Sequence, residues 1–148
     1  MLKRRPTEEE FAPYYGGYIS KTKGDDILQN LKIEKSNTVE FLKRLPAEKW
    51  NYVYEEGKWT IKEVMLHIID TERVFSYRSM RIARGDSTPL PGFDQDHYVA
   101  HSGANNRSAG SLIAEYMATR EATIFFFENL TDEMTLKKGK ASGVVFTA

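Results

Sequence analysis

Three histidines, a set of carboxylates and a row of arginines are the side chains of this 148-residue chain with types and spacing suited to chemistry. His67 lies in the run Lys58-Trp59-Thr60-Ile61-Lys62-Glu63-Val64-Met65-Leu66-His67-Ile68-Ile69-Asp70-Thr71-Glu72-Arg73. On a helix, Glu63 falls one turn before it, and Asp70 and Thr71 one turn after. A neutral imidazole with a carboxylate nearby suits a metal ligand, because the neighbour fixes its tautomer. The same placement also describes a half-buried histidine hydrogen-bonded to a neighbour, and the local sequence leaves both readings open. His97 and His101 stand four apart in Asp94-Gln95-Asp96-His97-Tyr98-Val99-Ala100-His101, so one helical turn would put them on one face. They could serve as replacement metal ligands beside His67, but exposed loop histidines are the preferred reading of that pair. The D-x-D start of this stretch does not make a calcium loop, since Tyr98 and Val99 fill the positions that need a side-chain oxygen and glycine. Arg73, Arg78, Arg81 and Arg84 are expected to face solvent or pair with carboxylates, with one of them able to hold an anionic group through its planar fork.

Three long helices must position these residues. The first is expected from Asp25 or Asp26 as cap to Leu45, where Pro46 stops it. Ile27, Leu28, Leu31, Phe41, Leu42 and Leu45 keep its three-four rhythm. The second runs from Ile61 to about Arg84. Thr60 and Glu63 open it as a T-x-x-E capping box, and Ile61, Val64, Met65, Ile68 and Phe75 form its core stripe. The third begins at Ser108 or Ser111 and ends near Asn129, with Leu112, Ile113, Tyr116, Ile124 and Phe127 inward. Residues 1–24 read as an irregular arm docked through Phe11, Tyr14, Tyr15 and Tyr18, and residues 25–148 as the helical domain. Residues 85–107 are rich in turn formers and carry little helical pattern; the tail after Lys137 suggests a turn or short extended piece.

The Lys58–Arg73 run resembles the second-helix signature of the DinB/YfiT-like superfamily. Leu90-Pro91-Gly92-Phe93-Asp94-Gln95-Asp96, then Arg107-Ser108 opening a helix, then Tyr116 and Arg120 follow in the matching order. The resemblance implies an all-α, up-down four-helix bundle with a three-histidine metal site, and His67 corresponds to the ligand from the second helix. It also implies two further ligands in an H-x-x-x-H-like motif on a last helix, which this sequence, ending at Ala148, lacks; the family pattern places no ligands at His97 and His101. The expectation is a shortened chain whose apolar seam would otherwise need covering. By the same resemblance the function is that of a metal-dependent enzyme. It would use zinc or nickel, with a low-molecular-weight thiol of the bacillithiol type, as an S-transferase or hydrolase of small molecules. The alternative is a non-catalytic helical module that binds or dimerises, with His67 structural. Glu63 and Asp70 are candidates for supporting His67 or handling protons, though no motif assigns them a catalytic role.

Composition narrows the field. Lysine and arginine number 21, aspartate and glutamate 21, so no basic excess marks a nucleic-acid binder. Cysteine is absent, which removes disulfides, thiolate nucleophiles and cysteine-ligated metals. The first ten residues lack the apolar stretch of a secretory signal, and no apolar run approaches membrane-spanning length. A cytoplasmic homodimer acting on a small molecule, without nucleic-acid or membrane partners, is the expectation.

Overall fold

Each long helix starts where the sequence supplies a side-chain cap. In the computed structural model, which describes residues 4–148, α2 (Ile27–Arg44) follows Asp26, whose carboxylate accepts from the Gln29 amide. α3 (Ile61–Ala83) follows Thr60 with both halves of the capping box made. α5 (Ala109–Glu128) follows Ser108, which accepts from the Ser111 amide. Three shorter helices complete the set among the described residues: α1 (Pro13–Ile19), α4 (Gln95–His101) and α6 (Asp132–Thr135). A 3-10 turn at Ala47–Asn51 links α2 to α3 and buries Trp50.

The core lies where α5 packs against both α2 and α3. Val39 and Leu42 from α2, Met65, Leu66 and Ile69 from α3, and Leu112 and Tyr116 from α5 join Trp50 and Ala104 in one cluster. α2 and α3 meet chiefly through α5 and the 3-10 turn rather than directly. One stripe of α3 (Val64, Ile68 and Phe75, spaced by four and seven) therefore stays more than a third exposed although it is apolar. No helix among the described residues is long and apolar enough to cross a membrane.

Two segments differ from the sequence expectation, the arm, where Pro13–Ile19 form α1, and the turn-rich stretch, while the tail takes the turn and extended form read from its sequence. Residues 95–101, inside the turn-rich stretch, form α4, capped by Asp94, whose carboxylate accepts from the Asp96 and His97 amides. The tail forms a hairpin, β1 (Lys138–Ala141) antiparallel to β2 (Val144–Thr147), turning at Ser142 (φ 50°) and Gly143 (φ 82°). Two consecutive positive φ values match the twist of paired strands, and glycine takes the second without steric cost. Leu90 extends this sheet as an isolated parallel bridge, its amide donating to Lys140 O at 2.8 Å. In the N-terminal segment, Tyr15 meets Phe75 and Phe146 edge-on, while Tyr14 and Tyr18 stay exposed. The first three residues of the expected arm lie outside the described residues.

Candidate functional site

His67 sits at the second turn of α3, half-buried, with its ring against Trp59 at 4.9 Å between centroids. Its Nδ1 lies 3.4 Å from Thr71 Oγ1, the hydroxyl one turn on. No hydrogen bond engages Nε2 among the described residues. The i,i+4 spacing brought Thr71 there; Trp59 arrives from the link before the helix, so the indole sets the ring's tilt and the threonine its rotation.

The two carboxylates flanking His67 in sequence serve other partners. Glu63 Oε2 accepts from the Thr60 amide at 2.7 Å and Oε1 from Asn105 Nδ2 at 2.9 Å. Asn105 Oδ1 in turn accepts from Thr60 Oγ1 at 2.7 Å, and Asn105 O accepts from Lys62. Glu63 is thus a helix cap locked by an asparagine from the loop before α5. Asp70 pairs with Arg73 at 3.3 Å. Neither reaches His67.

His97 and His101 lie on the exposed face of α4, their rings 4.2 Å apart. No three histidine, aspartate or glutamate side chains among the described residues converge to hold a metal ion. Around His67 a single imidazole stands beside a hydroxyl and an indole, and one imidazole does not hold a divalent ion by itself. Among the described residues no other histidine, aspartate or glutamate stands with it to complete such a site.

Trp59 has a second role. With Tyr52, Tyr54, Lys58, Ile61, Val64, Gln95 and Asp96 it lines a cleft of about 670 Å³, within the size range of small-molecule sites. A cavity of about 450 Å³ lies at the opposite end of the helices, lined by Arg4, Arg5, Glu10, Ile27 and Phe127. Its charged groups are already engaged: Arg4 forks onto Glu10 and Arg5 donates to Ile19 O at 3.0 Å. The cleft walled by Trp59, whose indole also packs on His67, is the candidate site.

A superfamily-wide sequence profile, that of the DinB superfamily, matches residues 30–145. The chain belongs to the DinB superfamily. The DinB match takes in all three long helices except the first turn of α2, and therefore His67 and the segment from Leu90 to Asp96. A protein of Oceanobacillus iheyensis named a putative metal-dependent hydrolase is 27% identical over 79 residues, which are 53% of this chain and 45% of that protein. The matched stretch thus spans less than half of that relative. YfiT from Bacillus subtilis, described as a probable metal-dependent hydrolase with an unusual four-helix bundle topology, superposes with a TM-score of 0.66 over 93% of this chain and 79% of its own, at 13% identity. At that identity the likeness establishes the fold, an all-α DinB-like bundle with a small two-stranded sheet added.

The arginines of α3 divide in a way their spacing did not indicate. Arg73 also reaches Glu115 at 2.6 Å, and Arg81 pairs with Asp86. Burial raises the Glu115 carboxyl, but the guanidinium groups of Arg107 and Arg73 outweigh it and hold the pKa below its ordinary value. Arg78 is 6% exposed, lies over Phe75 and Phe93, and donates to Pro91 O at 2.7 Å and Ser142 Oγ at 2.9 Å. It clasps α3, the Pro91 loop and the hairpin turn. Its Nη2 donors are spent on the protein. The sequence signal for this was weak: an arginine flanked by Phe75 and Phe93 among otherwise surface-like charges.

Proposed function

We propose that this DinB protein is a metal-dependent enzyme that opens or transfers groups on small electrophilic molecules. Water would be the nucleophile in a hydrolase, or a small thiol in an S-transferase. His67 is the ligand the chain contributes, and the Trp59 cleft is the place of the substrate. One observation carries this reading: His67 is half-buried on the ring that walls the cleft, oriented through Nδ1, with Nε2 left without a hydrogen bond. The names of the Oceanobacillus and Bacillus relatives support the metal-dependent hydrolase class. Zinc or nickel fits an imidazole ligand.

A second reading rests on the absence of any converging ligand group among the described residues. In it the chain is a helical binding module, and His67 only packs on Trp59. Metal analysis by plasma mass spectrometry of untagged protein and of His67→Ala separates the two. Zinc or nickel bound by the native protein and lost in the variant, with thiol- or water-dependent turnover of model electrophiles lost in parallel, is the expected result. Equal metal content in both proteins, with no turnover above the free ion, establishes the module.

A further inference from the structure

We propose that His97 and His101 form a two-imidazole site for a divalent transition metal on the exposed face of α4, separate from His67. The rings sit one helical turn apart with centroids at 4.2 Å and an interplanar angle of 36°. Two imidazoles four residues apart on a helix face are the arrangement in which such side chains chelate one ion. Two imidazole nitrogens on a tetrahedral zinc ion stand roughly 3.4 Å apart, given Zn–N bonds of about 2.0–2.1 Å. The rings are stacked at 4.2 Å between centroids, so rotation about their side-chain torsions must swing one nitrogen of each toward a shared ion.

A second observation gives the site its polarity. His101 Nδ1 lies 2.8 Å from His97 O. A carbonyl only accepts, so Nδ1 carries the proton and the Nε2 lone pair is directed away from the backbone. Hydrogen bonding at one ring nitrogen prepares the other for a metal in this way. Both residues are exposed, so water completes the coordination shell, and no carboxylate among the described residues joins as a third ligand. The donors are nitrogen, which selects zinc, nickel or copper over magnesium and calcium.

Occupancy has a consequence for the cleft. α4 has seven residues, too few to be stable by propagation alone, and its first two, Gln95 and Asp96, line the Trp59 cleft. A chelate across its single complete turn stabilises α4 and with it that wall. The site is a metal-responsive stiffener of the cleft rim and carries no catalytic role.

The experiment uses full-length, untagged His67→Gln protein, so that any ion held at His67 is removed from the readout. Zinc titrated into it by calorimetry is expected to bind one saturable equivalent, and magnesium to give none. Adding His97→Gln or His101→Gln is expected to weaken zinc at least about tenfold, a loss of roughly 1.4 kcal/mol. Zinc is also expected to slow hydrogen exchange of the α4 amides in the His67→Gln protein. Paramagnetic broadening by nickel in that same protein, confined to the His97 and His101 ring signals, decides the matter should a second substitution unfold the chain. No saturable zinc in His67→Gln, zinc retained unchanged in both double variants, or nickel broadening spread over other residues overturns the proposal.

Discussion

Arg120 donates from Nε to Glu72 Oε1 at 2.8 Å across the α3–α5 contact, with side chains 15% and 10% exposed. Burial works against the guanidinium charge, yet the hydrogen bond and charge of Glu72 outweigh it and raise the Arg120 pKa above its ordinary value. Glu72 Oε2 is buried with no hydrogen-bond partner among the described residues. Such a pair stabilises little in total, but removing one member leaves the other charge buried alone. Glu72→Ala is therefore expected to cost about 3 kcal/mol. Urea unfolding would show this as a lower midpoint at unchanged slope. Glu40→Ala, which breaks an exposed pair with Arg44 at 3.5 Å, is expected to change stability by less than about 1 kcal/mol. Equal losses in the two variants would mean that Arg120 finds water or another acceptor. At this scale the sequence was half legible. Thr60-x-x-Glu63 announced its capping box, and Thr71 is one turn from His67 by periodicity. Trp59 on His67, Asn105 on Glu63 and Arg120 on Glu72 join residues 8, 42 and 48 positions apart. Helical periodicity says nothing about such pairings.

The long helices were readable because each combines a side-chain cap with a sustained apolar rhythm; the short helices were not, and of the hairpin only its turn and extended character showed. α4 is seven residues in a stretch punctuated by Pro89, Pro91, Gly92 and Gly103, where its own periodicity cannot build up. The hairpin strands have four residues each, and what fixes them is tertiary: Leu90 from the loop, Arg78 at the turn and Ile82 against β1. Gly139 shows how close that last contact is. A Cβ there would stand 2.5 Å from Ile82 Cγ1, and Ile82 is 3% exposed on the rigid body of α3. Gly139→Ala must push the hairpin off the helix, and a loss of about 1–3 kcal/mol is expected. Gly110→Ala is the control, because nothing lies within 4 Å of its Cβ position and alanine favours the first turn of α5. Thermal unfolding that lowers the midpoint for Gly139→Ala but holds or raises it for Gly110→Ala checks the packing. Two unchanged midpoints would show that β1 does not bear on α3 in solution.

Across the whole molecule, the balanced composition takes on a spatial meaning. The 21 basic and 21 acidic side chains do not segregate into opposite faces where the structure pairs them. Lys32 meets Glu128 and Lys35 meets Glu121 between α2 and α5, Arg73 and Arg107 share Glu115, and Arg81 holds Asp86. These cations are neutralised in place, many across helix contacts, so they are not available to displace counterions from a phosphate backbone. Tyr52, Tyr54 and Trp59 face a cleft in which Lys58 is accompanied by Asp96, not a purely basic surface. Duplex DNA is therefore expected to bind without saturation. The measurement is fluorescence anisotropy of a labelled duplex from low salt to about 0.15 M, near the physiological ionic strength. Saturable binding whose logarithm falls with log salt at a slope steeper than roughly −4, the mark of four or more neutralised phosphates, would show that the ion pairs open to make a nucleic-acid surface. A flat, unsaturated response would show that the ion pairs keep these cations from phosphates.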